Sequence, residues 1–148
     1  YSETLAENGY DPLPRPVEPS KSPVSTPQLY HKYPVILTTG ARIPEYTHTQ
    51  LRNVPDLHKS APEPLAEIHP DTAGKYGISD GDMMSVETTK GKIVMKAKTT
   101  EALVPGVVSL PHGWANANAN ELTELEPRDP VTGYTEMKAL LCRIAKAA

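Results

Sequence analysis

Four polar segments hold most of the residues that could do chemistry: Thr38 to Arg42 (TTGAR), Thr47 to Arg52 (THTQLR), Leu110 to Asn120 (LPHGWANANAN) and Asp129 to Tyr134 (DPVTGY). They combine amide and hydroxyl side chains, the only tryptophan of a chain that has no phenylalanine, and glycines that let the backbone come close to a ligand. Ring edges want paired donors and acceptors, and phosphates want N–H groups, so such segments have the chemistry to hold a heteroaromatic ring and its phosphates. The same residues would serve as well as a strand end (TTG) and a solvated loop (NANAN), and spacing alone leaves both readings open.

Other chemistries are excluded more firmly. The segment AGKYG has a Gly-Lys, but neither the upstream glycine nor the following hydroxyl of a phosphate-cradling loop. GxGxxG and HExxH are both absent from the sequence. Among five histidines no pair lies three or four residues apart, the spacing that puts two imidazoles on one helical face, so no protein-only metal site is expected. One cysteine, Cys142, allows no internal disulfide and no thiolate cluster; its setting in LLCRIA marks a buried structural thiol. A net charge of -3 without any long basic run lacks the footprint that a nucleic acid backbone requires. No apolar stretch approaches the ~18 residues of a membrane-spanning helix.

The elements that must position these loops are short. Chain length, 148 residues, allows one domain and one core. The stretch from Asp11 to Pro34 is rich in proline, recurring every two to four residues up to Pro27, fixing φ and biasing its predecessor away from helix, so residues 1–32 are expected to be a largely flexible arm or linker. The chain starts at Tyr1 without an initiator Met, as a processed protein or a piece of a longer one does. A strand is expected at Tyr33 to Gly40, a long loop from Ala41 to Pro64 with one helical turn near Thr49 to Asn53, and a strand at Leu65 to His69. Pro70 and Asp71 suit a first helical turn, giving a short helix from Asp71 to Tyr76 stopped by Gly77. A hairpin pairs Asp82 to Thr89 with Lys92 to Thr99 through Lys90-Gly91, and Val104 to Pro111 is another strand. The final MKALLCRIAK reads as helix or strand, with a closing strand favoured. Many short strands with little helix form a mainly β fold, a small closed barrel with short helices and long loops.

The ordered phrases EIHPDTAGKYGISDGD, VVSLPHGW and NELT…DPVTG…K…CRI, preceded by TTGAR and THTQLRNVPDL, resemble the molybdopterin dinucleotide-binding, C-terminal domain of the dimethyl-sulfoxide-reductase family of molybdenum and tungsten oxidoreductases. The match runs from about Tyr33 to the end. It implies a six-stranded double-psi β-barrel over residues 33–148 that clasps bis(molybdopterin guanine dinucleotide), with Mo or W, jointly with upstream domains of the same enzyme. The metal ligand and most of the substrate pocket would then lie upstream, and no side chain here is a catalytic acid or base. Carried over by resemblance, Thr38, Thr39, Gly40 and Arg42 match the first cofactor loop, and His48, Thr49 and Gln50 match the next. His112, Gly113 and Trp114 match the loop before a pterin-contacting asparagine, which aligns with Asn120 or Asn118. Asp129 and Lys138 match the tail. Ala41 separates Gly40 from Arg42 where many members run Thr-Gly-Arg directly. Gly77, Gly81 and Asp82 are family landmarks explained by turn geometry.

The expected partners are thus the small-molecule cofactor and the upstream domains, with no nucleic acid, no membrane span and a monomer in isolation. A free-standing barrel acting as a protein-interaction module is the alternative from another class. A self-processing decarboxylase on the same barrel would need a Gly-Ser cleavage pair, which the sequence lacks.

Overall fold

A computed structural model describes residues 1–13, 15–41, 43–46 and 49–147. Six strands, β1 (Val35–Ala41), β2 (Leu65–Ile68), β3 (Met83–Glu87), β4 (Lys92–Thr99), β5 (Val107–Pro111) and β6 (Leu140–Lys146), close into a barrel in the order β1-β5-β2-β4-β3-β6. The pairs β1/β5 and β2/β4 are parallel and the rest antiparallel. The small closed β-barrel expected from the sequence is therefore the fold, and its sheet is mixed. Closure removes the exposed edges that short strands would otherwise present.

Alternation fills the interior. Along β4 Ile93, Met95 and Ala97 are buried while Lys92, Val94 and Lys98 face out, and these inward residues meet Leu37, Ile68, Met84, Val86, Val108, Leu110 and Cys142. Cys142 is fully buried opposite Val35, as its apolar flanks predict, and burial pushes its thiol up to about 12. The last segment is the closing strand, pairing with both β1 and β3.

Strand directions give the barrel two unlike ends. At one, here the bottom, lie the C-termini of β2, β4 and β6 and the N-termini of β1, β3 and β5. The β2–β3 connection there carries a short helix, Pro70–Lys75, whose first free N–H, that of Asp71, is capped by His69 Nδ1 at 3.1 Å. Gly77 at φ +65° ends it, close to the expected boundaries. At the opposite end, the top, lie the long β1–β2 and β5–β6 loops and the β3–β4 hairpin. The expected strand at Val104 begins only at Val107, because Gly106 at φ +85° turns the chain first.

Ala41 has a structural counterpart. Thr38 pairs with Ser109 but Ala41 with Pro111, so three steps on β1 oppose two on β5. The extra residue is taken up as a bulge, which re-aims the end of β1.

Three further helices were not foreseen: Glu3–Glu7, Pro27–Lys32 and Pro55–Ser60. The last two start on proline at the first helical turn, where its fixed φ and missing N–H cost nothing. None of the three buries a residue. Ser20 and Lys21 lie against the β5–β6 loop, Ser20 donating from N–H and Oγ to Glu136 (2.9 and 2.7 Å) and Lys21 paired with Glu124.

Candidate functional site

Most of the described site residues expected from the sequence lie at the top of the barrel, in two clusters and a rim. The first cluster is at the bulge. Thr39 is buried, and both its N–H (3.2 Å) and its hydroxyl (2.8 Å) donate to the carbonyl of Met137, tying the end of β1 to the lead-in of β6. Next to it Gly40 is exposed, and a Cβ there would lie 3.2 Å from Lys138 Cε. The missing side chain thus lets Lys138 lie across the strand end. Thr38 is half-buried beside Ser109 in the β1–β5 ladder. Lys138 also shares with Asp129, Tyr134, Val17 and Pro19 the wall of an open concavity of about 590 Å³.

The second cluster joins the β1–β2 and β5–β6 loops. Gly113 sits at φ +90°, and a Cβ on it would come 2.2 Å from Thr49 Cγ2, so only glycine fits. Trp114 follows, only 9% exposed. Arg52 reaches over from the turn after Thr49: its guanidinium carbon lies 4.4 Å from the indole centroid and its Nη1 donates to the Gly113 carbonyl at 2.8 Å. Below them Tyr46 is buried and donates its hydroxyl to Ala61 O at 2.6 Å. Burial pushes this phenol up, and the charge of Arg52 works against that push. Beside Arg52, Asn53, Pro55 and His58 complete an open concavity of about 350 Å³. Trp114 Nε1 is buried without an acceptor among the described residues.

The rim is the Asn-Ala run. It folds as two 3-10 turns, Ala115–Ala117 and Ala119–Leu122, with Ala117, Ala119 and Leu122 turned inward while Asn116 and Asn120 are exposed. Asn118 is half-buried, and its Oδ1 caps the second turn by accepting from Asn120 N–H at 3.1 Å. The alternation of the sequence is thus one of packing and wet positions. The segment is held from below by the hairpin: Thr88 Oγ1 donates to Leu122 O at 2.9 Å.

Placement is uneven for the remaining candidates. His112 is half-buried and Gln50 exposed. Asp129 organises its own turn: its Oδ1 accepts from Thr132 N (2.6 Å), Thr132 Oγ1 (2.8 Å) and Val131 N (3.1 Å), and the Thr132 and Val131 bonds hold its carboxyl below the usual range. Arg42 and His48 lie outside the described residues. Arg52 was not among the expected site residues; it is 62 positions from Trp114, and no local pattern links the two. Among the described residues no group of three or more His, Cys, Asp or Glu side chains could hold a metal, and no helix is long and apolar enough to cross a membrane.

One end of the barrel gathers loops rich in hydroxyls, amides and close-approach glycines, the residue types that can hold a ligand. The family model described as Molydopterin dinucleotide binding domain matches residues 35–141, and the chain belongs to that family. It is 33% identical over 147 residues to a dopamine dehydroxylase of Eggerthella lenta, a match spanning 91% of this chain and 14% of that protein. It is 34% identical over 130 residues to the assimilatory nitrate reductase catalytic subunit of Bacillus subtilis, spanning 86% and 18% of the two. Among solved structures, acetylene hydratase from Pelobacter acetylenicus superposes with a TM-score of 0.88 at 28% identity, over 99% of this chain and 23% of that one. The chain therefore spans less than a quarter of the length of each of these relatives. The ligand of the barrel is a molybdopterin cofactor, and the residues at the top fit one: a buried indole donor, a lysine laid over a glycine, and backbone exposed at Gly113.

Proposed function

We propose that this barrel holds the guanine dinucleotide form of molybdopterin, as bis(molybdopterin guanine dinucleotide) with Mo or W, between its top and further domains of a redox enzyme. Residues 1–32 are the arm that leads into it, and the barrel alone is a monomer. Thr38, Thr39, Gly40, Thr49, Gln50, His112, Gly113, Trp114, Asn118, Asn120, Asp129 and Lys138 form the binding face, with Arg42 and His48 completing its loops. When bound, the cofactor supplies the metal and the electron or oxygen-atom transfer; the protein binds, orients and keeps water out. Each side chain has a matching task. Lys138 brings a positive charge to the bulge of β1, where an anionic group can approach the bare Gly40 backbone. Gly113 opens the backbone of the second loop in the same way.

The observation that carries this reading is the buried Trp114 Nε1, a donor placed among the residues of the matched loops with no protein acceptor among the described residues. The test is anaerobic calorimetry of the chain with molybdopterin guanine dinucleotide and with nucleotide-free molybdopterin. The dinucleotide is expected to bind at least about tenfold more tightly, since the nucleotide adds charge-assisted contacts. Equal affinities would remove the guanine form from the reading.

A further inference from the structure

Two cofactor loops that are far apart in sequence are joined by a side chain that belongs to neither the core nor an ion pair. Among the described residues no carboxylate lies within salt-bridge distance of Arg52. Its planar guanidinium instead spends its face on the Trp114 ring, 4.4 Å away, and its edge on the carbonyl of Gly113, 2.8 Å away. A flat, forked cation does both at once by stacking its face and donating from its edge, and an ammonium has no face to stack. From the other side, Thr49 Cγ2 fills the space that a Cβ of Gly113 would need. The peptide before Trp114 is therefore gripped by Thr49 and Arg52, and the ring plane is set by the stack. Yet the one polar atom of that ring, Nε1, is buried and bonds to nothing among the described residues. A buried indole N–H ordinarily has an acceptor. A tryptophan held this firmly, with its donor unspent, is arranged for an acceptor that comes with a ligand.

We infer that Arg52 is a positioning residue of the cofactor site: it clamps the β5–β6 loop to the β1–β2 loop so that Trp114 Nε1–H stands ready to donate to an acceptor oxygen of the bound dinucleotide. That oxygen belongs to a phosphate or to a pterin ring carbonyl, which share the needed chemistry. This inference rests on the cofactor reading above. It adds a residue, Arg52, and a donor atom.

Trp114 is the only tryptophan, so its fluorescence reports on this clamp alone. Arg52→Gln keeps polarity but is shorter and loses charge and stack, Arg52→Lys keeps the charge alone, and Trp114→Phe keeps a ring without the N–H. Acrylamide quenching of Trp114 should rise several-fold in Arg52→Gln and in Arg52→Lys, with the thermal midpoint little moved because Arg52 is outside the core. In anaerobic calorimetry all three variants should bind molybdopterin guanine dinucleotide about tenfold more weakly or worse, the effect of losing one bond to a charged or buried partner. Shielding of Trp114 by guanosine diphosphate places the acceptor on a phosphate; shielding by 6-hydroxymethylpterin places it on the ring. Unchanged quenching in Arg52→Gln overturns the clamp. Changed quenching with unchanged affinity makes Arg52 merely structural and overturns the positioning role, and wild-type affinity in Trp114→Phe overturns the donor. Absence of binding by the unaltered chain is a different result: it removes the cofactor reading itself.

Discussion

The two ends of the barrel are built by opposite strategies. At the bottom, side chains satisfy backbone groups a few residues or one strand away. Asp82 Oδ2 accepts from Ser79 N–H at 2.8 Å and Lys146 Nζ at 2.7 Å, and the Lys146 bond, then the Ser79 bond, hold its carboxyl below the usual range. Asp80 Oδ1 accepts from Thr99 N–H at 2.7 Å, and Thr72 Oγ1 from Gly106 N–H at 2.8 Å. Gly77 and Gly81 turn at φ +65° and +81° with no atom within 4 Å of a would-be Cβ. At the top, long loops are tied to one another and to strand ends: Arg52 to Gly113, Thr39 to Met137, Thr88 to Leu122, Lys21 to Glu124. There Gly40, Gly91 and Gly113 are crowded by neighbours, while Gly133 turns in open space at φ +72°. The bottom is finished by its own residues, whereas the top keeps a buried donor unspent. An end that closes on itself stabilises the fold; an end that stays incomplete is where a ligand adds binding energy.

The sharpest way to break this comparison is at Gly91, in the hairpin turn under the rim. A Cβ there would lie 2.5 Å from the carbonyl oxygen of Glu121, a backbone atom that cannot swing aside as a side-chain tip does. Gly91→Ala should therefore push the second 3-10 turn away and lose the Thr88 to Leu122 bond, costing about 3 kcal/mol. Urea denaturation measures it. A loss under about 0.5 kcal/mol, the range of an ordinary surface change, would mean that the top is not packed as tightly as its glycines indicate.

The same division explains what could be read from the sequence. The bottom was legible because its signals are local: PDTAGKYG carries a proline and an aspartate at the first turn and a terminating glycine, and the observed helix, Pro70–Lys75, lies one residue from the expected bounds. Alternation in KIVMKAK gave the hairpin strand and its buried face. At the top, residue types suited a ligand site and solvated loops alike, and which side chains meet is decided by closure of the barrel. Arg52 and Trp114 meet because β1 and β5 run side by side and their following loops leave the same end. Proline helices were missed for a simpler reason. Recurring prolines were read as extended chain, yet Pro27 and Pro55 occupy the one helical turn that tolerates them. Asparagines in NANAN signalled loop, and the buried alanines between them, Ala117 and Ala119, supplied the packing that made it two ordered turns.

Cys142 sharpens the comparison because it serves neither end. It lies at mid-barrel against Val35, fully buried, with its thiol pushed up by burial from 9.0 to about 12. Above pH 9 the unfolded chain gives up this proton while the folded chain keeps it. The unfolded state then binds fewer protons, so stability falls as pH rises from about 9 to about 12, by roughly 1.4 kcal/mol at pH 10 relative to neutrality. Subtracting the pH profile of Cys142→Ala removes what tyrosines and lysines contribute. Both ends share this strand, so hydrogen exchange should report the loss at top and bottom alike. A pH profile identical in the two proteins would show that the thiol meets solvent when folded.

The smallest effect is expected at Gly77, and it tests whether the ends are independent. Its φ of +65° penalises any residue with a Cβ, but no neighbour stands within 4 Å of one. Gly77→Ala should therefore cost only the left-handed backbone penalty, about 1 kcal/mol, with no steric addition. The bonds around Asp82 and Lys146 hold the bottom together without that residue. Cofactor affinity and Trp114 quenching should stay at their unaltered values, because the contacts from Gly77 to the clamp run through the whole length of a rigid barrel. If affinity fell along with stability, the bottom would be part of the ligand site's support, and the two ends would have to be treated as one cooperative unit.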